Sequence, residues 1–411
     1  MQHNLLDFFS EESHSGVAYK NKARKRGIVN YLDQHGETTI PDLAQALNIS
    51  PPTAASLVNE LIADGLIKDC GKIDSAVGRP ASIYGLVAES CFFIGVDVKQ
   101  YYVSIGLLDF KKNLVTANMR IPFNLENTSQ SLDALITIIR GFIAEAPVNQ
   151  SNILALCINL GGRVNTNNGN SYSYFHFNEE PLSNIVQRQL SIRTFLENDS
   201  RAMAYGEFHK GIVKHEKNVL FLNLDYGLGL GIMIDGKMYY GKSGFSGELG
   251  HTPIFNNEIL CHCGKKGCLE TEASGRALIR LFKEKIAQGQ TSSIASDPTK
   301  IADIRLTDII EAARNEDMLS IDLLAEIGEN IGRGVAMLIN IFNTELVILG
   351  GPLVNTGDYI YLPIRSAINK YSLSLVNSDT QLFLSQLGEK AGVIGGCLIA
   401  RNKLLSFGSY H

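Results

Sequence analysis

Three cysteines within eight residues constrain the fold of this chain more than any other feature of its sequence. Cys261, Cys263 and Cys268 have the spacing C-x-C-x4-C, and His251 stands ten residues before the first of them. The glycines between the cysteines allow the chain to turn round one ion. Three thiolates and one imidazole form a closed tetrahedral set, which is typical of structural zinc and leaves no position for a reacting water. The spacing therefore predicts a structural Zn²⁺ site.

Two other interpretations of these residues stay open at this point. The cysteines could be free core thiols, although their spacing and the glycines favour a metal. His262 lies between two of the cysteines and could replace His251 as the nitrogen ligand. The sequence alone does not separate these two ligand sets.

Acidic residues lie on both sides of the predicted zinc site. Glu248 precedes His251 by three residues, and Glu270 follows Cys268 by two. Residues three apart share a face of a helical turn, and a shared metal would bring the two carboxylates together. Carboxylate oxygens accept hydrogen bonds from hydroxyl groups. We therefore expect Glu248, His251 and Glu270 to bind a polyhydroxylated ligand.

Residues 247–251 (GELGH) and 261–270 (CHCGKKGCLE) resemble the signature of the ROK family of bacterial sugar kinases and sugar-responsive repressors. The repressors include N-acetylglucosamine, xylose and glucose types. The resemblance extends from about residue 92 to the C-terminus. It implies an α/β fold, in which an actin/hexokinase-like two-lobe ROK body follows an N-terminal winged helix-turn-helix domain.

The same resemblance implies further sugar-binding residues. Asn198 and Asp199 match the family's Asn-Asp pair, whose aspartate hydrogen-bonds a sugar hydroxyl and is the catalytic base in the kinases. Gly162 matches one residue of a Pro-Gly turn that frames the sugar. For Asn198 and Asp199 the alternative is a simple turn before a helix. Residues 174–177 (YFHF) depart from the family pattern at the pocket mouth, so the sugar stays unidentified.

Two loops that hold ATP phosphates in the kinases are altered here. Residues 97–101 read DVKQY in place of D-x-G-G-T, so both glycines and the threonine are replaced. The second loop begins Asp225-Tyr226-Gly227 in place of G-T-G, and a carboxylate there would repel a triphosphate. We therefore expect no productive ATP binding and no enzymatic activity, although residual sugar kinase activity stays open.

The first 87 residues have the pattern of a winged helix-turn-helix. A basic run at residues 20–26 opens a first helix, and a second follows Pro41. Ser50 can cap a third helix that has Pro51 at its first position. On that helix a buried stripe is predicted at Ala54, Leu57, Val58, Leu61 and Ile62. Two strands near residues 66–69 and 83–86 would flank a wing; a small helical interaction module is the alternative.

The wing contains Arg79 within a Gly-Arg-Pro sequence, which resembles the ROK repressors and could equally be a simple turn. An extended arginine can enter the narrow minor groove of A·T-rich DNA. We expect double-stranded DNA as a partner, through an A/T-rich inverted repeat read by a homodimer or tetramer. The predicted DNA-binding residues are Lys22, Arg24, Arg26, Thr53, Ser56, Asn59 and Arg79.

A chain of 411 residues is expected to hold about three domains. We predict boundaries at 1–87 for the DNA-binding domain, 88–198 for the first lobe and 199–389 for the zinc-bearing lobe. A final helix at about 390–411 would complete the first lobe. A net charge of −5 requires any nucleic-acid surface to be local. No signal peptide or membrane span is visible, and seven cysteines fit a reducing compartment, so we expect a cytoplasmic protein without a membrane partner.

These patterns favour a sugar-responsive DNA-binding transcriptional regulator, a repressor whose operator binding is weakened by a sugar in the ROK cleft. The alternative is a ROK sugar kinase that phosphorylates a hexose with ATP and carries an additional DNA-binding module. A scaffold without ligand or DNA leaves the polar residues round the predicted zinc unexplained. The sugar, the operator, the genes controlled and the choice between repression and activation stay open.

Overall fold

The computed structural model describes residues 17–73, 81–177, 179–295 and 298–405. Arg79, the predicted wing residue, lies outside these ranges. The N-terminal part, residues 17–86, is called the reader below. Its elements are α1 (Val17–His35), β1 (Thr38–Thr39), α2 (Ile40–Ala46), α3 (Pro51–Ala63), β2 (Ile67–Ile73) and β3 (Ala81–Leu86). The strands form one sheet in the order β1-β3-β2.

Helix α3 of the reader begins where its capping residue predicts. The side chain of Ser50 accepts a hydrogen bond from the Thr53 backbone N–H, and Pro51 occupies the first helical position of α3. Four of the five predicted stripe residues are buried on α3. The prediction is wrong for Ile62, which is 36% exposed. At about 100° per residue, Ile62 is turned roughly 80° from Ala54 and falls off the edge of the stripe.

The next part of the chain forms a second sheet. Its elements are β4 (Phe92–Val98), β5 (Tyr102–Asp109), β6 (Leu114–Pro122), α4 (Ser129–Glu145), β7 (Ile153–Leu160), β8 (Val164–Asn165), β9 (Asn170–Ser171), α5 (Leu182–Leu190) and β10 (Arg193–Asn198). The sheet order is β10-β7-β4-β5-β6, and β8 pairs with β9 separately. Every residue of β4 and β7 is buried, as their continuous apolar runs predict.

The remaining residues form a third sheet with helices. The elements are α6 (Asp199–Lys210), β11 (Val219–Leu224), β12 (Leu228–Ile234), β13 (Lys237–Met238), α7 (Gly275–Ala287), α8 (Leu306–Arg314), α9 (Met318–Phe342), β14 (Leu346–Gly350), α10 (Asp358–Tyr371), α11 (Ser374–Asn377), β15 (Gln381–Leu384) and α12 (Ala391–Leu405). The sheet order is β13-β12-β11-β14-β15. Strand β11 runs antiparallel to β12 and parallel to β14.

The chain divides into two compact units. The first takes residues up to 158, then 174–196 and those from 396 onward; the second takes residues 159–173 and 197–395. A large apolar core in the second unit includes Leu222, Leu269 and Ile331. The three domain boundaries predicted above stay a prediction. Among the helices of the described residues, none is both long and apolar enough to cross a bilayer.

Within the first unit, a buried ion pair joins the reader to α12. Arg401 is 0% exposed and donates to the carboxylate of Asp33, near the end of α1, at 2.5 Å. Its guanidinium also donates to the Phe110 carbonyl at 3.1 Å. Lys112 lies 3.0 Å from the other oxygen of Asp33. The first helix of the reader is therefore held by charges from distant parts of the chain.

Candidate functional site

The structure brings the predicted zinc ligands together in the second unit. One donor atom each from His251, Cys261, Cys263 and Cys268 lies within 4.8 Å of all the others. We call these four residues the zinc cluster. Gly264 and Gly267 have φ values of +86° and +72°, so the loop between the cysteines turns through the left-handed region that glycine allows.

The donor distances fit a tetrahedral ion. Bond lengths of about 2.3 Å for Zn–S and about 2.0 Å for Zn–N place two sulfurs roughly 3.8 Å apart, and sulfur and nitrogen roughly 3.5 Å apart. The Cys263 and Cys268 sulfurs are 3.6 Å apart, and Cys261 Sγ is 3.5 Å from His251 Nδ1. Burial raises the pKa of the Cys268 thiol to about 12, so a metal ion would bind there by displacing a proton.

His262 lies beside this cluster and contacts a carboxylate. Its Nδ1 is 3.0 Å from Glu270 Oε1 and 3.9 Å from Cys261 Sγ. His251, His262 and Glu270 form a second group whose donor atoms lie within 4.8 Å of one another. The shorter sulfur contact of His251 favours it as the nitrogen ligand, whereas His262 orients Glu270.

Glu270 is a buried carboxylate that stays ionised. It is 8% exposed, and its Oε2 accepts a hydrogen bond from the Leu228 N–H at 3.0 Å. Burial raises the pKa of this carboxyl, but the hydrogen bonds from His262 and Leu228 outweigh burial and lower the pKa overall. Glu248 is more exposed, and its Oε2 lies 3.7 Å from His251 Nε2. Both carboxylates therefore lie beside His251.

Asn198 and Asp199 lie at the start of α6. The Asn198 side-chain oxygen accepts from the Ser200 and Arg201 N–H groups as the N-cap, and its Nδ2 donates to the Gly162 carbonyl at 3.0 Å. Asn198 therefore caps α6, as the turn alternative requires, and also holds the Gly162 carbonyl; its role as a sugar ligand stays a prediction. Gly162 has a φ of +79°, and a Cβ at this position would lie 2.3 Å from the Ser173 hydroxyl oxygen. Only glycine therefore fits.

Asp199 points towards strand β11. Its Oδ2 accepts a hydrogen bond from Asn223 Nδ2 at 3.1 Å, and its Oδ1 accepts from the Ser200 N–H at 2.8 Å. Each carboxylate oxygen can accept more than one hydrogen bond, so these contacts do not exclude a ligand hydroxyl. Asn223 on β11 pairs with Gly229 on β12, next to Leu228, which binds Glu270. Asp199 and Glu270 therefore both bond to the β11–β12 hairpin.

We call Gly162, Asn198, Asp199, Glu248, His251 and Glu270 the sugar corner. The structure joins its members in two groups, Gly162 with Asn198 and Asp199, and Glu248 with His251 and Glu270. Sequence reasoning missed the residues behind the first group, which are the buried Glu197 and Arg201 and the partly buried Tyr240. It also missed Asn223 and His262 as partners of the acids. Glu197 and Arg201 carried a signal, because opposite charges four apart in a buried segment are a candidate ion pair.

The altered phosphate-loop residues contact one another. In the first unit, Lys99 Nζ lies 3.7 Å from Asp97 Oδ2, and both side chains are buried to 10% exposure or less. In the second unit, the Asp225 side chain accepts a hydrogen bond from the Tyr226 N–H at 2.7 Å. The Asp225 carbonyl also accepts from the Gly275 N–H, at the first residue of α7. The loss of ATP binding stays a prediction.

The predicted DNA-binding residues occupy two helices of the reader. Ser56 and Asn59 are exposed on α3, whereas the Thr53 hydroxyl lies 2.8 Å from the Ser50 hydroxyl at the cap. On α1, Arg24 is exposed, and Lys22 and Arg26 are partly buried. Lys25, from the same basic run, lies 2.9 Å from Glu60 and 3.2 Å from Asp64 of the α3 end. The Lys25 ammonium group is therefore already paired with carboxylates of the reader.

Comparison with known proteins identifies the body of the chain. The family model described as "ROK family" matches residues 93–403, well over half of the sequence. The chain belongs to the ROK family. A second model, described as "Winged helix-turn-helix DNA-binding", matches residues 22–68, which confirms the predicted reader.

Relatives of both functional kinds are found in this family. The xylose repressor of Caldicellulosiruptor bescii is 30% identical over 373 residues, 90% of this chain and 92% of that protein. A solved ROK family transcriptional regulator, described as a homologue of the E. coli MLC protein, covers 94% of this chain and is itself covered to 97%, with 27% identity and a TM-score of 0.77. A Streptomyces griseus ROK glucokinase, solved with glucose and AMPPNP, covers only 76% of this chain and is covered to 99%, with 27% identity and a TM-score of 0.65.

Proposed function

We propose that this ROK protein is a sugar-responsive DNA-binding transcriptional regulator, a repressor that a sugar releases from its operator. One observation carries the proposal: the reader precedes the ROK body, and a xylose repressor aligns with 90% of the chain, whereas the glucokinase structure covers only 76%. The additional length of the regulator match corresponds to the part that would bind DNA.

The ligand that fits the sugar corner best is an uncharged sugar. Asp199, Glu248 and Glu270 supply carboxylate oxygens, which accept hydrogen bonds from hydroxyl groups. Gly162 and Asn198 would frame the same ligand through the turn that Asn198 holds. Three carboxylates would repel an added phosphate group, so a sugar phosphate is the weaker candidate.

The zinc cluster would hold a structural Zn²⁺ that fixes the second half of the sugar corner. His251 belongs to both the zinc cluster and the sugar corner, because its Nδ1 faces Cys261 and its Nε2 faces Glu248. When bound, the ion would supply a rigid tetrahedral crosslink between the Glu248 and Glu270 segments. His251, Cys261, Cys263 and Cys268 are the proposed ligands.

The reader would bind an A·T-rich inverted repeat as part of a homodimer or larger oligomer. Ser56 and Asn59 are exposed on α3 and are our candidates for base edges, with Thr53 limited by its cap contact. Lys22, Arg24 and Arg26 on α1 are candidates for phosphates. Arg79 would enter a narrow minor groove.

A sugar kinase is the second candidate, because the chain is similar to the S. griseus glucokinase and retains the Asn198-Asp199 pair. The substituted loops argue against it. Lys99 and Asp225 each stand where a phosphate-loop glycine is expected, and both already contact neighbouring residues of their own loops. We infer that the protein transfers no phosphate.

The melting temperature against a ligand panel tests these proposals together. A ligand that binds only the folded state raises the melting temperature in proportion to the logarithm of its concentration. We expect stabilisation by one of D-xylose, D-glucose or N-acetyl-D-glucosamine, and none by the corresponding phosphates or by Mg-ATP. Stabilisation by Mg-ATP, with ADP formed in the presence of the sugar, would establish the kinase instead.

A further inference from the structure

A buried carboxylate lies directly behind the sugar corner. Glu197 is 0% exposed at the end of β10, next to Asn198. Its Oε1 accepts hydrogen bonds from Arg201 Nε at 2.8 Å and from the Asn198 backbone N–H at 2.9 Å. Its Oε2 accepts from the Tyr240 hydroxyl at 2.9 Å. One carboxylate therefore bonds to three donors from three residues.

Arg201 extends this network to the turn that contains Gly162. The arginine is 3% exposed, and its guanidinium donates to the Val164 carbonyl at 3.3 Å. The same group lies over the Tyr240 ring, 5.5 Å from the centroid. Gly162 is two residues before Val164, so Arg201 and the Asn198 amide hold the same turn at two carbonyls.

Tyr240 extends the network towards Glu248. The Tyr240 carbonyl accepts a hydrogen bond from the Ser246 N–H at 3.1 Å, and the Ser246 hydroxyl donates to the Tyr239 carbonyl. Ser246 is two residues before Glu248. Burial and the charge of Glu197 raise the pKa of the Tyr240 phenol well above its ordinary value, so the hydroxyl stays a donor to Glu197.

The cost of burying this ion pair indicates a role beyond stability. Two buried charges lose their hydration, and an apolar replacement of a buried pair is often neutral or stabilising. What the network supplies is geometry, because its hydrogen bonds join three segments and each segment carries a sugar-corner residue. The first segment begins at Gly162, which is itself a sugar-corner residue. The second begins at Asn198 and contains Asp199, and the third begins at Tyr240 and ends at Glu248.

We propose that Glu197, Arg201 and Tyr240 are positioning residues for the sugar, and that Glu197 sets the relative position of the three segments that bind it. The inference rests on the function proposed above, since the sugar corner itself is a proposal. None of the three side chains touches the sugar in this account. They act through Gly162, Asp199 and Glu248.

The variant Tyr240→Phe tests this role, because it removes one hydroxyl and keeps the ring beneath Arg201. The matched control is Tyr239→Phe, whose side chain is 47% exposed. We expect Tyr240→Phe to weaken binding of the stabilising sugar about tenfold, the size of a lost hydrogen bond to a charged group. Operator affinity without sugar should stay within about twofold of wild type, a result that general misfolding would not give.

Backbone hydrogen exchange, measured without any ligand, gives a second readout. In Tyr240→Phe, and more strongly in Glu197→Gln, exchange should accelerate in residues 162–173 and 239–248 while α9 keeps its protection. Equal exchange in these segments for Tyr240→Phe and Tyr239→Phe would overturn the proposal, whatever the sugar result.

The two proposals fail in different ways. Wild-type protein that no sugar of the panel stabilises would refute the sugar corner, while the exchange experiment would still decide the positioning role. Wild-type and Tyr240→Phe proteins with equal sugar affinity would refute the positioning role and leave the sugar corner intact.

Discussion

Helix capping in the reader and hydrogen bonding in the sugar corner span very different distances along the chain. In the reader, Ser50 caps α3 by bonding Thr53, three residues away. In the sugar corner, Glu270 accepts from Leu228 across 42 residues, and Asn198 donates to Gly162 across 36. Local contacts fix the shape of a helix, whereas the sugar corner depends on how strands and loops assemble. A change in the corner should therefore affect ligand binding through several segments at once.

The largest expected effect concerns the zinc cluster, which shares His251 with the sugar corner. Cys261→Ser should remove the bound metal and lower the melting temperature by roughly 10 °C or more, because structural zinc contributes several kcal/mol to folding. Metal content measured by mass spectrometry and calorimetry would check this. Cys70→Ser in the reader is the control and should keep the metal. Wild-type protein that contains no zinc after purification would refute the predicted site.

The second effect tests whether the stability of the reader depends only on local contacts, as its helix caps suggest. Arg401→Met should destabilise the chain by about 3 kcal/mol, because it leaves the Asp33 carboxylate without its buried partner. Urea unfolding measures this change. Asp33→Asn combined with Arg401→Met should be less destabilising than Arg401→Met alone. If the double variant is the less stable one, the pair is not the source of the effect.

The third effect separates the ligand role of Asp199 from its structural contacts. Asp199→Asn should weaken sugar affinity by roughly 1.5–3 kcal/mol, since it removes the charge that strengthens the hydrogen bond. The single Asn oxygen can still accept from Asn223, and the Ser200 N–H keeps its hydrogen bond to Asn198, so the melting temperature without sugar should fall only slightly. Isothermal titration with the stabilising sugar gives the affinity. If Asp199→Asn binds the sugar with wild-type affinity, the sugar does not bind at Asp199.

The smallest effect compares two neighbouring cations of α1. Arg24→Ala should weaken DNA binding modestly and lower the salt slope by about one, as the loss of one phosphate contact predicts. Lys25→Ala should leave the slope unchanged, because Lys25 is bonded to Glu60 and Asp64. DNA affinity across a range of salt concentrations decides between them. If Arg24→Ala and Lys25→Ala have equal salt slopes, Arg24 is not part of the DNA interface.

Much of the fold followed from local patterns in the sequence. Capping at Ser50, the apolar runs of β4 and β7, and the cysteine spacing each depend on neighbours within a few residues. The error at Ile62 arose because a stripe of three- and four-residue steps drifts round the helix. Sequence reasoning could not find Tyr240 or Asn223, because their partners Glu197 and Asp199 lie 43 and 24 residues away in the chain.

The zinc cluster and the acids were partly predictable for a related reason. Cys261, Cys263 and Cys268 are close in sequence, so spacing alone suggested a shared ion. Asn198 and Gly162 came from resemblance to the ROK family, because nothing local connects residues 36 apart. The choice between His251 and His262 depended on which ring nitrogen lies closer to the Cys261 sulfur, and that is a property of the folded loop.

Operator affinity measured with and without sugar tests the central claim most directly. DNA fragments selected by the protein from a random pool would serve as operators, with fluorescence anisotropy as the readout. We predict that the sugar that stabilises the protein weakens operator binding severalfold, and that the operator weakens sugar binding by the same factor. Equal operator affinities in the two conditions would contradict the switch, and tighter binding with sugar would make the protein sugar-activated.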